Sequence, residues 1–180
     1  TIYKMVYTMR LLHNDNIVSS SYMFQIAIYY NMWCYAYEYV SMLERKYKLL
    51  ENIPKEKHLE AKTRIISSCH AIILSFLSVC YLSKMIHFNT WTICLPISGA
   101  FGLFDLTMIT LNYETFKKGY FATSTHHLCL IFGPLFISLD NSKLCSQGYL
   151  FEITVPILDA SWYLYNANMA NNLLFKFNTI

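Results

Sequence analysis

Seven ionisable side chains interrupt the long apolar runs of this sequence: Glu38, His70, Asp105, His126, His127, Glu152 and Asp159. An ionisable group inside hydrocarbon costs about 2.5–3.5 kcal/mol on insertion scales, so it faces a bundle interior, a wet cavity or a partner. A histidine beside an aspartate is oriented and made more basic, the arrangement that general acid–base chemistry uses to deprotonate an amine or hydroxyl. His126 and His127 are adjacent, so on a helix they diverge by about 100°. One can face a cavity while the other bonds a neighbouring helix. Each acid or histidine also has a plainer role open to it, as a polar clasp between helices contributing about 0.6–2 kcal/mol.

His70, Asp105, His126, His127 and Glu152 are metal-ligand types, but their spacing provides neither HExxH nor the several-histidine boxes of a membrane di-iron enzyme. No metal or cofactor is expected. GxSxG and GxxxxGK[ST] are absent, which removes support for serine-hydrolase and nucleotide-binding chemistry. Cys34, Cys69, Cys80, Cys94 and Cys129 fall in apolar segments, Cys145 falls in a connection, and no CxxC pair exists. They read as thiols acting as small hydrophobes.

The elements that must position these residues follow from composition and run length. The chain is 55% hydrophobic and only 14% charged, against roughly 25% charged in soluble domains. Its few charges are bunched. The net charge of +3 comes without the aromatic-interleaved basic clusters of a nucleic-acid surface, so no nucleic-acid partner is expected. Apolar runs over 17–43, 65–87, 91–113, 120–139 and 148–168 each approach the ~20 residues needed to cross ~30 Å of hydrocarbon. The expected fold is all-α, a multi-pass transmembrane helical bundle of about five spans, with residues 1–16 as a flank. The first run is the weakest, because Gln25, Asn31 and Glu38 interrupt it.

The connection over 44–64 carries Arg45, Lys46, Lys48, Lys55, Lys57, Lys62 and Arg64, which places it on the cytoplasmic side under the positive-inside rule. Alternation then puts Lys117 and Lys118 on that side as well. Helix rise sets His70, Asp105 and His126 at roughly 9–12 Å from the cytoplasmic ends of their spans. Three antiparallel helices thus deliver a histidine, an acid and a histidine pair to one layer. The same counting leaves Glu152 in the opposite half and Asp159 nearer the midplane. Pro54 begins a helix within the connection, and Pro96, Pro134 and Pro156 are expected to kink their spans. Ser98-Gly99-Ala100 with Gly102 forms a small-residue patch that admits another helix at close range.

Phe104-Asp105, Thr125-His126-His127-Leu128, Glu152-Ile153-Thr154-Val155-Pro156-Ile157-Leu158 and Trp162-Tyr163-Leu164 occur in order, with Cys69-His70-Ala71 ahead of them. Together they resemble the TLC domain family, which includes ceramide synthases, translocating-chain-associated membrane proteins and small TLC-domain membrane proteins. Ceramide synthases carry two aspartates three residues apart about thirty residues after the paired histidines. Here those slots hold Thr154 and Ile157, while Glu152 fits the Glu-x-Thr-x-Pro pattern of the small TLC-domain proteins. The resemblance implies six or more helices, one or two of them after Leu164, so that this copy would be either truncated or divergent.

It also implies lipid handling or regulation of membrane lipid composition, with His70, Asp105, His126, His127, Glu152 and Asp159 lining a cavity for a lipid or acyl chain. Membrane lipids are then the partners, in the endoplasmic reticulum or plasma membrane. One alternative is a ceramide-synthase-like N-acyltransferase with acyl-CoA as substrate, His126 or His127 as general base and Asp105 or Glu152 as orienting acid. Another is a structural or chaperone-like membrane protein.

Overall fold

The computed structural model describes residues 2–85, 90–133 and 142–169. It is all-helical, with no strand among the described residues. Helix α1, Ile2–Tyr47, runs for 46 residues without a break, straight through the boundary expected at residue 17. The reason is local: neither glycine nor proline occurs before Pro54, so nothing stops the helix earlier. It ends where Lys48 takes a left-handed φ of 51°, and Arg45 and Lys46 in its last turn suit the negative end of the helix dipole.

Pro54 caps a 3-10 turn, Lys55–Lys57, that leads directly into α2, His58–Leu82. The helix that Pro54 was expected to begin and the second apolar run are therefore one continuous unit, beginning well before residue 65. α3 spans Thr90–Leu111 with Pro96 inside it, followed by the single turn α4, Tyr113–Phe116. Gly119, at φ 86°, turns the chain into α5, Tyr120–Phe132. α6, Ser142–Leu150, a 3-10 turn, Phe151–Ile153, and α7, Thr154–Asn166, complete the described chain.

The run over 148–168 is thus divided rather than one helix. Pro156 falls in the first turn of α7, directly after the 3-10 turn that divides the run, a position where proline is tolerated because its missing N–H falls at the start of the new helix. Pro134 and residues 134–139 lie outside the described residues. Two helical stretches, Lys55–Leu82 and Ile93–Leu111, are long and apolar enough to cross a membrane.

α3 is the central element, packed between α1 and α5, while α2 rests on α6 and α7. The small-residue patch explains this closeness. A Cβ at Gly99 would stand 2.5 Å from Tyr22 Oη and 3.1 Å from Ile26 Cδ1 of α1, whereas one at Gly102 would meet the His127 carbonyl oxygen at 3.1 Å and Leu130 Cβ at 3.2 Å on α5. The two glycines thus seat two different helices. Tyr22 Oη donates to the carbonyl of Ile131 at 3.0 Å and Trp33 Nε1 to that of Ile97 at 3.3 Å, tying the α1 register to α3 and α5. Gly99→Ala must displace the Tyr22 hydroxyl from this bond. It is expected to destabilise the fold by about 1–3 kcal/mol, read as a lowered unfolding midpoint in detergent. An unchanged midpoint would show that α1 and α3 yield freely at this point.

A second, smaller core lies beside the basic connection. Leu50, Ile53 and Ala61 are buried against Trp162, Tyr163 and Ala167, which seats the end of α7 under the turn between α1 and α2.

Candidate functional site

The first two ties between α2 and the C-terminal elements set the register of the site. Ser68 Oγ donates to Asp159 Oδ2 at 2.8 Å, and Ser75 Oγ donates to the Tyr149 carbonyl at 3.1 Å. Asp159 therefore sits level with the second and third turns of α2, towards the basic connection. Glu152 falls between the two ties, on the level of His70, and not in the opposite half of the bundle. Counting from residue 148 alone takes no account of α2 beginning at His58, well before residue 65, or of the two serine ties that fix its register against these elements.

One cavity of about 330 Å³ results, and His70, Asp105, His126, His127, Glu152 and Asp159 all line it. Glu38 is exposed on α1 and does not. The cavity also takes in Glu60, Arg64 and Lys118.

His127 Nε2 donates to Asp105 Oδ2 at 2.7 Å. A carboxylate only accepts, so the proton of a neutral His127 is on Nε2 and Nδ1 is left as an acceptor. Gly102, one turn before Asp105, lets α5 approach closely enough for this bond. His126 and His127 diverge, their rings 5.3 Å apart at 61°: His127 is buried against α3, and His126 stands at the open part of the cavity.

His70 is buried in an aromatic box. Its ring stacks on Phe101 at 4.0 Å and 15°, with the edge of Trp33 at 5.7 Å. Neither His70 Nε2 nor His127 Nδ1 has a hydrogen-bond partner among the described residues, and both atoms are buried. An unpaired buried polar atom costs about 1–3 kcal/mol, so these two nitrogens are a cost that the aromatic packing around them offsets.

Arg64 is the residue that sequence reasoning left in the basic connection. It lies within α2, donates through Nη1 to Asp159 Oδ1 at 2.8 Å and through Nε and Nη2 to Glu60 Oε1 at 3.2 and 3.0 Å, and covers the Trp162 ring at 4.8 Å. Planar, forked donors suit such a clamp on two carboxylates. The available signals were Glu60 one turn ahead of Arg64 and an otherwise solitary acid at 159.

A second, largely apolar pocket of about 220 Å³ adjoins this cavity. Leu95, Cys129, Gly133, Cys145, Gly148 and Tyr149 line it, and it shares Leu130 and Glu152 with the polar cavity. No group of three or more histidine, cysteine or acidic side chains arranged to hold a metal occurs among the described residues.

Fold and site together define, among the described residues, an all-helical arrangement with two membrane-length apolar helices and a polar-lined cavity beside an apolar pocket. No protein-family model, curated protein or solved structure matches the chain.

Proposed function

We propose that this chain is a multi-pass membrane protein that binds an amphiphilic lipid, with the polar head in the cavity of His70, Asp105, His126, His127, Glu152 and Asp159 and the chain in the adjoining apolar pocket. The observation that carries this reading is the shared wall: Leu130 and Glu152 belong to both spaces, so one molecule that is polar at one end and apolar at the other fits across them. Large apolar side chains exposed on successive helices, among them Phe24, Tyr35, Phe76, Leu111, Phe121 and Leu158, support a lipid-facing exterior. In water they would form an aggregation-prone surface. The TLC-like motifs support the same class of function, because their acids and histidines are the residues of this cavity.

Cysteine protection tests the reading in the intact chain. Cys129 and Cys69 are both exposed free thiols, but only Cys129 lines the apolar pocket. Adding 1-oleoylglycerol to the protein in nanodiscs is expected to slow alkylation of Cys129 several-fold relative to Cys69. Equal rates with and without the lipid would remove the pocket from the account.

A second reading, acyl transfer, has one observation in its favour. His126, exposed at the open part of the cavity beside the Asp105-held His127, is an imidazole placed where a general base is needed. Membranes containing the protein, given labelled acyl-CoA and a long-chain base, are then expected to form N-acylated product that Asp105→Asn abolishes. No product from a folded preparation would eliminate this reading and leave lipid binding intact.

A further inference from the structure

We infer that the turn joining α1 to α2 is a docking surface for the anionic head groups of the leaflet it faces; this rests on the membrane-spanning part of the reading above and not on any ligand of the cavity. The turn is built rather than slack. Leu50 and Ile53 are buried with Ala61 against Trp162, Tyr163 and Ala167. The backbone closes on itself step by step: Lys48 N donates to the Glu44 carbonyl at 2.8 Å, Glu51 N to that of Lys48 at 3.0 Å, Ile53 N to that of Leu50 at 2.9 Å, and Lys57 N to that of Pro54 at 2.8 Å. A surface held in this way loses little freedom when something binds to it.

What the turn presents outward is basic and apolar together. Arg45, Lys46, Tyr47, Lys48 and Leu49 are five consecutive exposed residues, and Lys55 is exposed beyond them. Lys46 Nζ stands over the Tyr47 ring at 5.1 Å. Nearby charges are paired off elsewhere: Glu44 faces His58 at 3.5 Å, while Lys57 and Arg64 hold Glu60. Arg45, Lys46, Lys48 and Lys55 enter no ion pair among the described residues. The exposed acids of the turn are Glu51 and Glu56, so its outer face keeps a net positive charge.

The height of the turn supplies the partner. α2 begins at His58 and its apolar run at Ile65, about 10 Å further along the helix. The head-group layer is about 5–8 Å deep on each side of the hydrocarbon. The turn therefore stands at the outer edge of that layer, where basic side chains reach lipid phosphates and carboxylates while Tyr47 and Leu49 meet the apolar boundary. Anionic lipids concentrate in the cytoplasmic leaflet, the side to which the positive-inside rule assigns this connection. An acidic protein segment would answer the same charges, but it would have to reach the surface from solution, whereas the bilayer stands beside it.

The test places the full-length chain in nanodiscs of phosphatidylcholine alone and of phosphatidylcholine with phosphatidylserine, and follows acetylation of each lysine. Lys84 is the reference, because it is exposed just past the other end of α2 and meets the same surface potential in a bilayer of one composition. Phosphatidylserine is expected to slow acetylation of Lys46 and Lys48 about fivefold more than that of Lys84 at low salt, and high salt should erase the difference. Native mass spectrometry should find phosphatidylserine retained in preference to phosphatidylcholine. Replacing Arg45→Gln, Lys46→Gln and Lys48→Gln together should remove that preference, with helical circular dichroism checking the fold. Equal slowing at Lys84, or a preference that survives the triple variant, would overturn the docking surface. Equal acetylation in the two bilayers would overturn it as well, and protection by added polyglutamate in that case would assign the face to an acidic protein segment. A chain that enters neither bilayer would overturn the membrane reading with it.

Discussion

Arg64→Ala is expected to destabilise the protein by about 3 kcal/mol, because it strands two carboxylates at once. Asp159, with its side chain 10% exposed, would lose its only charged partner, and Glu60 would retain only Lys57. Removing one member of a buried ion pair typically costs about 3–5 kcal/mol, most of it the penalty of an uncompensated charge. The lower end applies here, since Arg64 keeps some contact with the surface. Replacing both members, as Arg64→Met with Asp159→Leu, removes the stranded charge and is expected to recover much of the loss. Thermal unfolding followed by tryptophan fluorescence suits the experiment, because Trp162 lies directly beneath the guanidinium. If Arg64→Ala and the double variant unfold at the same temperature, the clamp is not what holds α7 against α2.

The second large effect separates binding from stability. Gly148 lines the apolar pocket, and a Cβ built on it meets nothing within 4 Å. Gly148→Phe therefore puts a large apolar group at the space assigned to the lipid chain with no obstruction at its Cβ. It also removes a glycine from within α6, a change that favours the helix by a few tenths of a kcal/mol, about half the gain of a Gly→Ala change. The expected outcome is a chain that unfolds at the same or a slightly higher temperature and loses most of its bound lipid. Lipid retained at the level of the unaltered protein would mean that the chain does not occupy this pocket.

The sequence was most legible where a physical cost applies locally. Seven ionisable residues within apolar runs had to find shelter, and six of them line one cavity. Asp105 and His127 meet because Gly102 clears the approach of α5, a link already present in the small-residue patch. Register was not legible in the same way. The positions of Glu152 and Asp159 along α2 depend on where α2 begins and on two serine side chains, Ser68 and Ser75. None of these leaves a trace in hydropathy. Arg64 was hidden for a related reason: charge counting assigns it to a basic connection, and only the start of α2 at His58 carries it inside the bundle. The aromatic box of Trp33 and Phe101 around His70 depends on helix packing across α1, α2 and α3, which spacing within a single run cannot reveal.

Native mass spectrometry of the purified chain, with lipid analysis of the material released from it, tests the central claim most directly. The account predicts an amphiphilic lipid retained at one per protein in the unaltered chain. Gly148→Phe should lose it, and His127→Ala should lose or greatly reduce it because Asp105 is then left unpaired in the cavity that holds the head group. A folded, unaltered chain that carries no lipid, or one that carries the same lipid in both variants, would contradict it.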